Sequence, residues 1–295
     1  MIDFIKGYKF RRNLANGIIY FILGVMCIIW ILPFLYLVLH SLRLDGAVMG
    51  NDAILPKQLT FRNYVYLFSG QSGNENVQAT LNFPRWFLNT LIVAACSCVI
   101  STLSVLMVSY TFSRLRFGIR KTLMNIAMIL GMFPGFMTMI AMYYLLKFMG
   151  LQGQLVALVL CYSCGAGLGF QISKGFFDTI PRALDEAATI DGATRNQIFW
   201  KIILPMSKPI VVYTVLTSFI GPWTDFILAK IIMADKLDNY TVAIGLWKML
   251  DINFKATYYQ QFLAGSVVVA VPITLVFLKM QKYYVEGVTA GGVKG

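Results

Sequence analysis

Cys161 and Cys164 form a C-x-x-C pair, a spacing suited to redox or zinc chemistry. Their setting argues for neither. No second such pair exists, His40 is the only histidine, and Cys27, Cys96 and Cys98 also lie in apolar runs, where cysteine acts as a small apolar side chain. We expect no disulfide and no metal. Gly165-Ala166-Gly167-Leu168-Gly169 matches a nucleotide-binding turn poorly, because no strand precedes it, and small residues in an apolar segment serve close helix packing. The sequence holds no G-x-x-x-x-G-K-[ST], no H-E-x-x-H and no G-x-S-x-G. We therefore expect no catalytic residue here. Asp225 stands out as an ionisable group inside an apolar stretch, which by default marks a water-filled cavity or a brace between helices.

The elements that hold these residues are set by composition. Of 295 residues, 58% are hydrophobic and 13% charged, about half the ~25% of a soluble domain. Mean hydropathy is +0.69. Six segments are long and apolar enough to cross a bilayer as helices, at about 17–39, 87–112, 123–146, 154–173, 210–233 and 260–279. The Gly131–Gly135 stretch, with Pro134 inside it, is a candidate break in the third, and Pro222 a candidate kink in the fifth. The expected fold is all-α and polytopic, with a 17–279 membrane domain between termini of 1–16 and 280–295. The first apolar run exceeds a signal sequence in length and no small-residue cleavage site follows it, so it reads as a retained span.

The net charge of +12 is distributed by side. The face carrying both termini holds 16 Lys or Arg and 6 acids, against 9 and 7 on the other face. By the positive-inside rule both termini are cytoplasmic. No arginine-rich strip interleaved with aromatics appears, so the charge speaks for membrane lipid and not for nucleic acid. The loops at 40–86 and 234–259 then face outward, either contacting something there or only connecting spans.

The cytoplasmic stretch 175–209 is the most informative. Pro181 suits the opening of a helix, Ala183 to Ile190 favours helix, and Asp185 and Glu186 suit its positive end. Gly192 ends that helix or permits a turn. A second helix is expected from Ala193 to about Leu204, with Ile198 and Ile202 on one face, ended by Pro205 and Pro209. Such a two-helix projection either docks a partner or caps the bundle.

Glu186-Ala187-Ala188, Asp191-Gly192-Ala193, Phe199, Ile202, Leu204-Pro205 and Pro209 resemble the EAA loop of binding-protein-dependent ABC importer permeases, in sequence and in position before the last two spans. With Asn89-Thr90, Trp223-Thr224-Asp225-Phe226 and the tail Gly287–Gly295, the likeness covers about 15–295 and is similar to the smaller permease subunit of maltose- and maltodextrin-type systems. Gly292 stands where the family often has alanine. The resemblance implies a type I ABC importer permease in a bacterial inner membrane. Its implied partners are a second permease, two ATPase subunits or a homodimeric ATPase, and an extracytoplasmic sugar-binding protein. ATP and Mg would sit on the ATPase, leaving no cofactor on this chain. Glu186, Ala187, Ala188, Asp191, Gly192, Ala193, Leu204 and Pro205 would couple to the ATPase, and Gly291, Gly292 and Lys294 would touch it. Tyr240, Thr241, Val242, Gly245 and Leu246 would probe the sugar-binding protein. Asp225, Trp223 and Asn89 are candidate pathway residues: Asp225 to bond sugar hydroxyls or steady the bundle, Trp223 to stack on a sugar or join the interfacial aromatic belt. The implied cargo is an oligosaccharide, with a non-sugar solute as the alternative. A secondary transporter would show an internal repeat, and none is clear.

Overall fold

With no water in the bilayer core, a spanning backbone must satisfy its own hydrogen bonds. The computed structural model meets that demand with helices alone: among the described residues the sole β feature is an isolated bridge between Arg43 and Leu59. The structure describes residues 2–44, 55–70, 81–165, 169–234, 236–251 and 255–292. The chain divides into two units, 1–79 with 249–268, and 80–248 with 269–295.

In the first unit, α1 (Ile2–Ser41) turns apolar at Asn13, and from Asn13 to Tyr36 its side chains are exposed all round, with Trp30 72% exposed. That surface suits lipid. Its end is held by α2 (Arg62–Ser69): Asn63 Nδ2 donates to the carbonyls of Ser41 (2.9 Å) and Arg43 (2.8 Å).

The second unit is organised around α3 (Phe83–Arg114). Asn82 caps it by accepting from the Arg85 N–H at 3.2 Å, and Pro84 sits in its first turn. Ala94, Ser97, Ser101, Val105, Ser109 and Ser113 recur at three to four residues and are all buried. This narrow stripe admits α6 (Leu155–Gly165), α7 (Phe170–Thr179) and α10 (Lys208–Thr224). Ser101 Oγ donates to the Tyr162 carbonyl (3.2 Å) and Ser109 Oγ to that of Phe170 (2.9 Å), so the stripe also bonds across helices.

Three helices are individually long and apolar enough to span: Asn13–Ser41, Phe83–Arg114 and Thr257–Tyr283 within α13 (Lys255–Gly292). Among the described residues the count reaches five if each bent pair is one span. The expected third span is α4 (Arg120–Gly131) and α5 (Gly135–Phe148), bent by 101° where Pro134 takes an extended ψ of 126°. The expected fourth comprises α6 and the start of α7. The expected fifth breaks between α10 and α11 (Ile227–Met233), at Asp225 and Phe226, whereas Pro222 stays inside α10. The break thus follows the carboxylate and not the proline.

Candidate functional site

α8 (Ala183–Ile190) and α9 (Arg195–Met206) form the expected hairpin. Gly192 adopts φ +82° between them. The Ala193 N–H returns to the Ala188 carbonyl (2.9 Å) and the Gly192 N–H to that of Thr189 (3.1 Å), which closes a Schellman turn. Thr194 and Gln197 form a capping box on α9: Gln197 N–H donates to Thr194 Oγ1 at 3.3 Å, and Thr194 N–H to Gln197 Oε1 at 2.8 Å. The second helix does not stop at Leu204. A π-turn at Phe199–Ile203 carries the chain past Pro205, and the helix ends at Met206, meeting α10 at 85° around Ser207. Pro205 has no N–H for the carbonyl four residues back, and the widened turn re-pairs the ladder, with the Leu204 N–H on the Phe199 carbonyl.

The hairpin has two faces. Ala188, Ile198, Phe199 and Ile203 are buried with Leu106, Tyr110, Phe177, Ile180 and Ile210. Glu186, Ala187, Asp191, Gly192 and Pro205 are exposed, as is Ile190 at 86%. Ala193 and Leu204 are half-buried against the core. Of the expected coupling residues, Ala188, Ala193 and Leu204 therefore seat the hairpin, and Glu186, Ala187, Asp191, Gly192 and Pro205 form its outer face.

The end of α3 anchors it. Arg114 Nη1 pairs with Asp185 Oδ2 at 3.1 Å, and Arg114 Nη2 donates to the carbonyls of Phe177 (2.8 Å) and Ile180 (2.9 Å). Ser113 Oγ donates to Asp178 Oδ1 at 2.6 Å, and Lys174 Nζ donates to Asp178 Oδ2 at 2.6 Å. Tyr110 OH donates to the Arg195 carbonyl at 3.2 Å. Burial pushes the Asp178 carboxyl up, but the bonds from Lys174 and Ser113 and the charges of Lys174 and Arg120 outweigh it and hold the group below its usual 3.8. Sequence reading missed Arg114, Ser113, Asp178 and Asp185 as a cluster. Its only signal in the sequence is charge at segment ends, which bears on topology and, at Asp185, on the helix dipole.

The residues expected to probe a binding protein are mostly packed inside. Tyr240 (3% exposed), Thr241, Val242 and Gly245 are buried, and Leu246 is half-buried. Gly245 lies so close to Trp86 that a Cβ there would stand 2.0 Å from the ring. Asn89, a candidate pathway residue, instead clasps this loop: its Nδ2 donates to the carbonyls of Asp238 (2.8 Å) and Tyr240 (3.0 Å). Trp86 Nε1 donates to the Leu237 carbonyl at 3.0 Å, and Thr90 Oγ1 accepts from the Val242 N–H at 2.8 Å. The outward residues are Lys236, Leu237 and Asp238 and, on α12 (Val242–Met249), Trp247. The burial has a plain cause: the apolar α12 packs on α3 through Trp86 and Thr90.

Asp225 is a brace. Tyr162 OH donates to its Oδ2 at 2.7 Å, and its carboxylate accepts the N–H groups of Leu228 and Ala229, both at 3.3 Å, capping α11. Trp223 is buried against Phe87 and Phe219 and offers no free face to a sugar. Gly291 and Gly292 end α13, while Lys294 lies outside the described residues. Among the described residues the five cysteines are free thiols, and no cluster of three or more metal-binding side chains exists.

Three comparisons bear on this arrangement. A family model described as "Binding-protein-dependent transport system inner membrane component" matches residues 101–288. The galactooligosaccharides transport system permease protein GanQ of Bacillus subtilis is 33% identical over 288 residues, 97% of this chain and 98% of that protein. The maltodextrin transport system permease protein MalD of Streptococcus pneumoniae is 32% identical over 289 residues, again 97% and 98%. A bacterial ABC transporter involved in the import of the acidic polysaccharide alginate shares the fold, with a TM-score of 0.75 at 20% identity over 92% of this chain and 97% of that one.

Proposed function

The chain belongs to the binding-protein-dependent transport system inner membrane components, and from that membership we propose that it is a permease subunit of an ATP-driven oligosaccharide importer. The sugar assignment is supported by relatives named for galactooligosaccharides and maltodextrin that align over nearly their whole lengths. A second permease completes the pathway, and an extracytoplasmic binding protein delivers the cargo. A separate ATPase pair binds ATP and Mg and performs the hydrolysis, and this chain contributes the joint. Both termini face the cytoplasm, in keeping with the excess of Lys and Arg on that side.

One observation carries the coupling reading: the hairpin's outer face leaves Ile190 86% exposed beside Glu186, Ala187, Asp191 and Gly192, while its inner face is bonded to α3. A surface helix with apolar residues on both sides requires a second partner. The ATPase cleft is that partner, with Ala187 and Gly192 small enough for close approach and the Gly291–Lys294 tail as an additional contact. Arg114 then passes hairpin motion to α3. The outward Lys236, Leu237, Asp238 and Trp247 meet the binding protein in place of Tyr240–Leu246.

The test is co-purification from membranes followed by reconstitution. A P-loop ATPase and a second permease should accompany the chain, and vesicles should take up oligosaccharide only with ATP inside. Glu186→Lys should lower binding-protein-stimulated hydrolysis. A chain that purifies alone, or a variant with unchanged coupling, would refute the proposal.

A further inference from the structure

α2, the short helix in the loop after the first span, has two unlike sides. Asn63 and Leu67, one turn apart, are buried against the chain. Phe61, the N-cap residue, and Val65 and Phe68, four and seven positions on, share the opposite side, with Phe61 73% and Val65 61% exposed. Arg62, Tyr66 and Ser69 make a polar edge between the two sides. The level of this helix is set by α1, which is long and apolar enough to span. Besides the two Asn63 bonds to the end of α1, Ser41 Oγ and Tyr64 OH share a hydrogen bond of 2.7 Å, and the Thr60 N–H donates to the Leu42 carbonyl at 2.6 Å. We propose that α2 is an interfacial helix: its Phe61–Val65–Phe68 stripe enters the acyl boundary of the leaflet opposite the N-terminus, with anionic lipid headgroups along its polar edge.

Charge and position both favour lipid. Residues 55–70 carry two cations, Lys57 and Arg62, and no acid, and both cations are exposed. That balance complements the phosphates of an anionic leaflet. Arg62 Nε donates to Tyr66 OH, and its guanidinium lies 4.9 Å from the centre of the Tyr66 ring. The charge is thus held on the polar edge, level with a phenol, the arrangement of a side chain that keeps its head among headgroups while its neighbours enter hydrocarbon. Leu55 and Leu59, also exposed, add apolar surface to the same segment. The lipid-facing surface of α1 ends where α2 is bonded to it, so the bilayer boundary is already at this level and needs no matching shape to cover a convex stripe. So placed, α2 fixes the depth at which the first span leaves the membrane. This role requires only that α1 spans, and stands apart from the cargo and the ATPase.

The test uses the full chain, assembled with the subunits that co-purify with it, in vesicles of equal phosphatidylethanolamine and phosphatidylglycerol. The photoreactive residue p-benzoylphenylalanine replaces Phe61, Val65 or Ser69, one at a time, and the products of illumination are identified by mass. Phe61 and Val65 are both exposed, so each tolerates the larger ring independently of the other. Phospholipid adducts should form at both positions, at about threefold the yield found at Ser69 on the polar edge. Phosphatidylglycerol should be over-represented among them about twofold relative to the vesicle. Conjugates of either position to a second permease or to an added extracytoplasmic binding protein, in place of lipid, would overturn the proposal and make the stripe a protein interface. Equal lipid yields at all three positions, or no adduct at Phe61 and Val65, would overturn it as well. Adducts that match the vesicle composition would overturn the preference for anionic headgroups.

Discussion

Arg114, the last residue of α3, meets Asp185, in the first turn of α8, at 3.1 Å, with the two side chains 5% and 21% exposed. The same guanidinium holds two carbonyls in the segment before α8. One residue thus ties the central helix of the second unit to the hairpin and to the segment that leads into it through three bonds. A guanidinium suits this task because its planar donors reach several acceptors from one anchored stem.

Removing that tie should be costly. Arg114→Met is expected to destabilise by about 3 kcal/mol, because it strands a half-buried carboxylate and two carbonyls. Asp185→Asn, which keeps the shape, should cost less. Thermal unfolding in detergent measures both. In the assembled transporter Arg114→Met should also lower the sugar moved per ATP, and a wild-type ratio in a folded variant would dismiss the transmission role.

Gly192 tests backbone against contact. A Cβ there meets nothing within 4 Å, so only its φ of +82° opposes a side chain. Gly192→Ala should cost about 1 kcal/mol, and Gly192→Asn less, because asparagine tolerates the left-handed region. If stimulated hydrolysis falls for both equally although their stabilities differ, the partner reads the missing side chain. If it recovers in the asparagine variant, the turn geometry is what matters.

Gly245 presents the opposite case. Its Cβ would sit 2.0 Å from the Trp86 ring, with 2.5 and 2.6 Å to neighbouring ring atoms. Gly245→Ala should destabilise by about 1–3 kcal/mol through overpacking. The double variant with Trp86→Ala should be less destabilised than the sum of the two singles, as expected for groups in contact. Additive losses in thermal unfolding would contradict the packing described.

Asp178 sets an acid limit. Its folded pKa lies below 3.8, so the unfolded chain binds the proton first as pH falls. Its stabilisation is fully present above that ordinary value and is lost as pH drops through the folded one. Stability should therefore be flat in this respect near neutrality and decline below about pH 4. Ser113→Ala and Lys174→Met should each shrink the decline. An unaltered acid profile in both variants would remove the assignment.

Much of the molecule was legible in the chain because lipid imposes a strict rule on composition. Apolar runs of spanning length had to be helical, Lys and Arg marked one side, and Gly192 and Pro181 bounded a hairpin whose spacing was itself a family signature. Local residues set those features, so local reading found them. Pro134 is an instance: the proline in the third apolar run does coincide with a 101° bend. Pro222 shows the limit, since the fifth run breaks at Asp225, where a carboxylate captures two N–H groups and the Tyr162 hydroxyl from 63 residues away.

The rest was decided by long-range contact. Arg114 and Asp185 lie 71 positions apart, and each alone reads as a charge at the end of a segment. Asn89 reads in sequence as a polar residue near the start of an apolar run, and nothing local names its partners, the carbonyls of Asp238 and Tyr240, 149 and 151 positions on. The sequence by itself determined which segments leave water and where the hairpin turns, because these depend on side-chain hydrophobicity and backbone freedom. Only tertiary structure decided which polar groups face one another, because a buried donor gives its proton to whichever acceptor the packing brings within about three ångströms.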